Sequence, residues 1–155
     1  GALINSAGQV IGINSMKISK SSVEGMGFAI PSNEVVSIIK QLETDGKITR
    51  PALGISMVNL SSVNERVIEQ LNLPRDVKNG VVIAEVMAKG SAKAAGLQAY
   101  DVIVEMDGKK IEGIQNLRKV LYSHKVGDKL EVTYYRNGQK QTTTISLTET
   151  NSPSL

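Results

Sequence analysis

Arg50-Pro51-Ala52-Leu53-Gly54-Ile55-Ser56-Met57-Val58 is the stretch on which the reading of this 155-residue chain turns. A residue before proline is steered into extended or turn backbone, so Arg50-Pro51 reads as a boundary. Leu53 to Val58 then reads as a strand entered through a small, glycine-containing loop. Successive backbone N–H groups in such a loop form a concavity that accepts an anion. Gly54 carries no Cβ, so a ligand backbone approaches it closely. A peptide carboxylate suits the concavity, and the chain attached to it pairs along the strand. Four-residue loops of this kind also occur by chance, so the weight of Ala52-Leu53-Gly54-Ile55 depends on its surroundings.

Downstream, the pattern is that of an α+β unit. Ser61 or Ser62 is placed to cap a short helix running through Leu71, with Pro74 beyond it. Gly80 to Met87 is a mostly apolar strand, as expected when both faces are covered. Ser91 to Gly96 reads as a short helix with a glycine exit. Val102, Val104 and Met106 alternate up to Asp107-Gly108, a strong turn signal. Ile114, Leu117, Val120 and Leu121 recur at helical spacing and give a wall for a groove beside Leu53 to Val58. Leu130, Val132 and Tyr134 alternate, Asn137-Gly138 turns the chain, and Thr143, Ile145 and Leu147 alternate again. The tail from Thr150 to Leu155 is expected to fray.

Upstream, Leu3-Ile4-Asn5 and Val10 to Ile13 read as a β-hairpin around Asn5 to Gln9. Gly27 to Ile30 is a further strand, stopped by Pro31. A helix follows, capped by Ser32 or Asn33, with Glu34 in its first turn and Gly46 at its exit. Val35, Val36, Ile38, Ile39 and Leu42 form its apolar stripe. About 50 residues make a marginal core by themselves.

Composition excludes several chemistries. The chain is 41% hydrophobic and 21% charged, with net charge +3, which reads as globular. Acids and bases are interleaved as on a solvated surface, and stacking aromatics are scarce, so a nucleic-acid groove is not expected. There is no cysteine and one histidine, His124. No metal site and no cofactor are expected, and no Ser-His-Asp constellation is spaced to form a catalytic triad. His124 reads as an exposed residue at a helix end. Asn59-Leu60-Ser61 matches a glycosylation sequon by chance. No apolar run approaches the roughly 20 residues that span a bilayer, so no membrane contact by this chain is expected. The opening Gly1-Ala2-Leu3-Ile4 lacks Met and is expected to start mid-protein.

Leu53-Gly54-Ile55, Gly80 to Ile83, Ser91 to Gly96, Asp101 to Ile103 with Asp107-Gly108 and Ile111, Leu117-Arg118, Val126 to Asp128 and Tyr135 to Gly138 together resemble a bacterial PDZ domain of the HtrA/DegP-like serine proteases. One departure is Tyr100-Asp101, where that family often has Gly-Asp; a local loop change is expected, with binding retained. Gly1 to Asn5, Val10 to Ser15, Gly25 to Pro31 and the helix from Ser32 resemble the end of the family's trypsin-like protease domain. The resemblance would make Gly1 the last glycine of the nucleophile motif, with the triad upstream.

The resemblance implies an α+β fold class. A PDZ domain (a partly open antiparallel β-barrel or sandwich with two or three helices) over 50–149 is preceded by the last strands and helix of a trypsin-like β-barrel over 1–49. A flexible tail covers 150–155. It implies peptide binding through Ala52, Leu53, Gly54, Ile55, Ser56, Met57 and Val58. Amides near Leu53 to Ile55 would take the carboxylate. Leu53, Ile55, Met57, Leu117, Val120 and Leu121 are candidates for the terminal side-chain pocket, and which of them face the core stays open. Arg50 either assists the carboxylate or is solvated. Ser15, Met16, Lys17, Gly25, Met26 and Gly27 would be a remnant of the protease substrate pocket.

The implied function is a peptide-binding module of a serine endopeptidase in protein quality control, binding extended C-terminal or unfolded segments to recruit substrate or tune proteolysis. The chain itself is expected to be proteolytically inactive. The alternatives are a structural segment for self-association, with residues 1–49 exchanging strands between chains, and part of a serine protease that is active only when the upstream triad is supplied; a homo-oligomer through the missing part is a further partner the resemblance allows. Partners would be such polypeptides and the upstream protease domain; the place would be extracytoplasmic, in a bacterial cell envelope, with a parent anchored or secreted.

Overall fold

A computed structural model of the chain describes residues 1–17, 27–46 and 48–149, which divide into two compact units, Gly1–Ile48 and Thr49–Leu155. The expected tail at 150–155 lies outside the described residues, as do Gly25 and Met26.

The first unit is a three-stranded antiparallel sheet, β1 (Ala2–Ile4), β2 (Val10–Lys17) and β3 (Gly27–Pro31), followed by α1 (Ser32–Asp45). The β1–β2 turn is closed by Asn5, whose Oδ1 accepts from the N–H groups of Ala7 (3.0 Å) and Gln9 (2.9 Å), the local bonding that makes Asn a turn residue. α1 departs from the expected capping. Pro31 occupies the cap position and no side chain caps the helix, because the chain passes from β3 straight into helix and Ser32 and Asn33 already have helical backbone. Gly46 ends it in left-handed backbone, φ +66°. The apolar stripe finds little cover within the unit: Val36, Ile39 and Leu42 are exposed, as are Leu3, Ile4, Val10, Ile11, Phe28 and Ile30.

The second unit carries a six-stranded antiparallel sheet and the core. Its main path runs β10 (Gln139–Ser146), β9 (Lys129–Arg136), β7 (Val102–Met106), β6 (Val81–Val86), β5 (Ile55–Asn59), with β8 (Lys109–Lys110) paired to β7. β4 (Pro51–Ala52) pairs separately with β11 (Thr148–Glu149). Both sheets are open. The β9–β10 hairpin turns at Asn137-Gly138, both with positive φ, the geometry that matches strand twist. Among the described residues, three α-helices complete the unit: α2 (Glu65–Leu71), α3 (Ser91–Ala94) and α4 (Ile114–Leu121). α2 starts later than expected. Leu60–Ser62 forms a 3-10 turn instead, and Asn64 Oδ1 caps α2 by accepting from Val67 N at 3.0 Å.

One core cluster joins Leu53, Val81, Ile83, Ile103, Met106, Leu117, Leu130, Val132, Ile145 and Leu147 under α4. A second lies under α2, around Leu60, Leu71, Val82 and Val102. Val104 is half-buried instead of continuing a simple alternation, because the β7–β9 register shifts between Ile103 and Glu105.

Candidate functional site

β5 ends the strand order, so one of its edges has no strand partner among the described residues. α4 lies beside it. The two are tied at one end, where Asn59 Oδ1 accepts from Ile114 N at 2.8 Å. At the other end of β5 the Ala52–Gly54 loop is held from behind. Ser91 Oγ donates to Ala52 O (2.8 Å), Ala92 N to Leu53 O (2.9 Å) and Met87 N to Gly54 O (2.9 Å). Leu53 anchors the loop in the core at 3% exposure. Among the described residues, no hydrogen bond leaves the N–H of Leu53 or Gly54. The loop therefore keeps its donors while its carbonyls are occupied.

Gly54 is required for that shape. Its φ is +68°, and a Cβ there would sit 2.6 Å from Gly90 Cα. The two glycines pack backbone against backbone, a closeness that only paired glycines allow.

The resulting cleft has a volume of about 400 Å³. Of the residues proposed from sequence, Ala52, Leu53, Gly54, Ile55, Met57 and Leu121 line it. Ser56 and Val58 are exposed on the opposite face of β5, as strand alternation requires. Leu117 and Val120 do not line it, whereas Leu121, which belongs to the same core cluster, does. The helix is rolled so that Leu121, Arg118 and Tyr122 face the cleft. Sequence reading missed Met87, Lys89, Gly90, Arg118, Tyr122, Thr148 and Glu149, which arrive from three other segments. Arg50, left open, lies over the Tyr122 ring with its guanidinium carbon 5.7 Å from the centroid, a cation–π contact that holds it at the rim. A smaller hollow of about 240 Å³ is lined by Gln70, Leu71, Tyr100, Asp101, Arg136 and Asn137 among others, and by no residue of β5.

In the first unit, Ser15 is the bulged residue of β2, and its Oγ donates to Phe28 O at 3.3 Å. Met16 pairs with Phe28 and Lys17 with Gly27 in the β2–β3 ladder. Ser15, Met16, Lys17 and Gly27 thus share one strand pair.

His124 is not the freely exposed residue expected. Its Nε2 is 2.6 Å from Asp107 Oδ2, and its side chain is 19% exposed. Ser123 Oγ lies 3.4 Å from His124 Nδ1, which superficially completes a Ser-His-Asp set. The bonding rules that out. Ser123 Oγ donates to Val120 O at 2.6 Å. Nδ1 also faces Val120 O, at 2.9 Å. The serine hydroxyl hydrogen is thus directed at the Val120 carbonyl and not at the ring. Among the described residues, no group of three metal-ligating side chains converges, and no helix is long and apolar enough to cross a membrane.

Comparison with known proteins agrees with this geometry. Residues 51–147 match the family pattern described as PDZ domain. The chain is 54% identical over 143 residues to the serine protease Do-like HtrA of Lactobacillus helveticus, covering 90% of this chain and 35% of that protein. It is 46% identical over 152 residues to the serine protease Do-like HtrB of Bacillus subtilis, covering 96% of this chain and 33% of that protein. Among solved structures it is similar to the HtrA-type protease AlgW with decapeptide, at 30% identity and a TM-score of 0.83, covering 99% of this chain and 46% of that one. The chain thus spans about a third of the length of these two curated relatives and is homologous to HtrA-type serine proteases over nearly all of its own.

Proposed function

Because the chain belongs to the PDZ domain family, we propose that its second unit captures the carboxyl-terminal end of an extended polypeptide by strand addition at β5. The observation that carries this reading is the unpaired edge of β5, which leads from a loop with unengaged amides and is walled by α4. The terminal carboxylate sits against the amides of Leu53, Gly54 and Ile55, with Arg50 at the rim. The preceding residues add a strand to β5, where main-chain hydrogen bonds give affinity and alternate side chains enter the cleft. Ile55, Met57 and Leu121 form the apolar wall for the last side chain.

The first unit, in this reading, supplies the closing strands and helix of a trypsin-like protease domain. Its exposed Leu3, Ile11, Phe28, Val36 and Ile39 are the surface that the rest of that domain covers. The remnant of the substrate channel is Ser15, Met16, Lys17, Gly25, Met26 and Gly27. Peptide capture then recruits substrate or tunes proteolysis in an extracytoplasmic quality-control protease, while this chain alone cleaves nothing. Homology to HtrA-type proteases over both units supports the assignment.

The test is an NMR titration of the labelled chain with short peptides ending in an apolar residue, each beside its carboxyl-amidated twin. Shifts at Leu53, Gly54, Ile55 and Leu121 that amidation abolishes are expected. Binding that ignores amidation, or none, removes the carboxylate groove. Casein cleavage by the contaminant-free chain overturns the inactivity.

A further inference from the structure

We propose that the hollow beside Tyr100 binds one ring of a neutral sugar, with the Tyr100 side chain as its stacking plate. This hollow shares no lining residue with the peptide cleft, so the inference holds whether or not β5 captures peptides.

Tyr100 sits in backbone that does not suit it. Asp101 N donates to Gln98 O at 3.3 Å, which makes Gln98 to Asp101 a tight turn with Tyr100 at its third position. The φ of Tyr100 is +71°, and a turn with positive φ there favours glycine or asparagine. The other non-glycine residues with positive φ among the described residues are Asn72, Asp107 and Asn137, whose short polar side chains tolerate that region. A bulky aromatic does not. Burial does not offset the strain, because Tyr100 is 61% exposed. Its hydroxyl makes no hydrogen bond among the described residues either. Strain that the fold does not use points to a role for the side chain toward solvent.

The hollow's chemistry selects the ligand. At about 240 Å³ it is smaller than a drug-sized site and has room for one ring. Three carboxamides line it, Gln70 from α2, Gln98 from the turn and Asn137 from the β9–β10 hairpin. None of these side chains is engaged in a hydrogen bond among the described residues. The charges present cancel. Arg136 donates to both oxygens of Asp101, and Gln98 N takes a further position on Oδ2. The Tyr134 ring, 5.2 Å from the guanidinium carbon, holds that group in place. Its Nη1 is left unengaged, as is the N–H of Ala99. A carboxamide both donates and accepts, so a matching ligand does both at several points of its rim and carries no charge. A carboxylate only accepts and would lie beside Asp101. An ammonium group only donates and would face Arg136. An apolar ring would leave the amides without partners. Sugar hydroxyls donate and accept, and the C–H face of a sugar ring rests on the electron-rich face of an aromatic side chain.

The experiment is an NMR titration of the full labelled chain with glucose, galactose and N-acetylglucosamine. Glucuronate and glucosamine serve as charged counterparts, and glycerol as a control for hydroxyls without a ring. At least one neutral sugar is expected to give saturating shifts at the amides of Ala99, Tyr100 and Asn137 and at the side-chain amides of Gln70 and Gln98. The charged counterparts should bind more weakly. A β-linked trimer of the sugar that binds separates the sources: a gain over the single ring assigns the hollow to a glycan chain, and equal affinity assigns it to the free sugar. Glycine suits the turn, so Tyr100→Gly should keep the fold, checked by its denaturation midpoint, and weaken binding about tenfold or more. Tyr100→Phe keeps the plate and should keep most of the affinity. Gln70→Ala leaves the turn untouched and should weaken binding severalfold. No shift from any of the three neutral sugars overturns the proposal. So do equal shifts from glycerol, a preference for either charged counterpart, and a sugar response that both Tyr100→Gly and Gln70→Ala retain.

Discussion

Asn59 Oδ1 accepts the backbone N–H of Ile114 at 2.8 Å across 55 residues of sequence. The bond does for α4 what an N-cap residue does, from the strand that forms the opposite side of the groove. A Cβ at Gly113 would lie 2.9 Å from Asn59 Oδ1, so a side chain there would push the Asn59 amide out of this bond. Asn59→Ala is expected to cost about 1–2 kcal/mol, the range for losing a helix cap, and to weaken peptide binding severalfold by releasing one wall. Asn59→Asp keeps the acceptor and places negative charge at a helix N-terminus, so it should retain most of both. Urea midpoints and peptide titrations check this. Unchanged stability in Asn59→Ala would show that water replaces the bond at no cost.

Gly54→Ala should fail more severely. The new methyl meets Gly90 Cα at 2.6 Å, and φ is +68°, a region that costs an L-residue about 1–2 kcal/mol by itself. Loss of more than about 2 kcal/mol and at least tenfold in peptide affinity is expected. Gly90→Ala strains the same contact from the other side, so the double variant should cost less than the two losses added. Full additivity in denaturation midpoints would mean that the two glycines do not share one constraint.

How much of this was readable beforehand follows from what each signal depends on. Helical spacing announced α4, and Asn137-Gly138 announced the β9–β10 hairpin, because both are local patterns. Which side of α4 faces the groove was not readable. Leu117 and Leu121 are one turn apart, both apolar and both in the core cluster, and only the roll of the helix turns Leu121 toward the cleft as well. Gly90 as the partner of Gly54, Asn59 as a remote cap, and Met87 and Glu149 as lining all depend on contacts between distant segments. Tyr100 is a different case. It holds the left-handed backbone, φ +71°, that a glycine adopts freely, since its N–H donates to Ile83 O at 2.8 Å and the following Asp101 is anchored.

That anchor gives a third prediction. Arg136 donates through Nε to Asp101 Oδ1 (2.7 Å) and through Nη2 to Oδ2 (2.6 Å), while Asp101 Oδ2 also accepts from Gln98 N. Asp101 is 1% exposed. The hydrogen bond donated to Asp101 raises the Arg136 pKa above the ordinary arginine range, against the opposing effect of burial. A raised folded-state pKa stabilises below the unfolded value and loses that contribution only as pH rises through the folded one. The contribution of the Arg136 charge is therefore flat across the neutral and mildly alkaline range. Asp101→Asn is expected to cost about 2–3 kcal/mol, less than a fully buried pair because the Arg136 side chain is a quarter exposed. Arg136→Lys should not rescue the fork. The deficit of Arg136→Lys, measured by denaturation from about pH 7 to pH 10, should stay constant; a deficit that shrinks over that range contradicts the assignment.

The two units should differ most in amide exchange. In the second, β6, β7 and β9 lie over a core in which Val81, Ile83, Ile103, Leu130 and Val132 are fully buried. Opening those strands exposes that core, so their amides should approach the protection of global unfolding. In the first, the large apolar side chains of β1 and β3 are exposed. A hydrogen-bonded ladder with little apolar burial opens at small cost. Amides of Leu3, Gly12, Ile13 and Ala29 should therefore exchange orders of magnitude faster than those of Val82 and Val132. In the reading proposed above, an upstream protease segment added in trans should slow the first group and leave the second unchanged, because the exposed apolar surface lies in the first. Equal protection in both units of the isolated chain would mean that the first finds its own cover, for instance by self-association. Repeating the measurement across a tenfold dilution separates these outcomes: protection through association falls with concentration, whereas protection from internal packing does not.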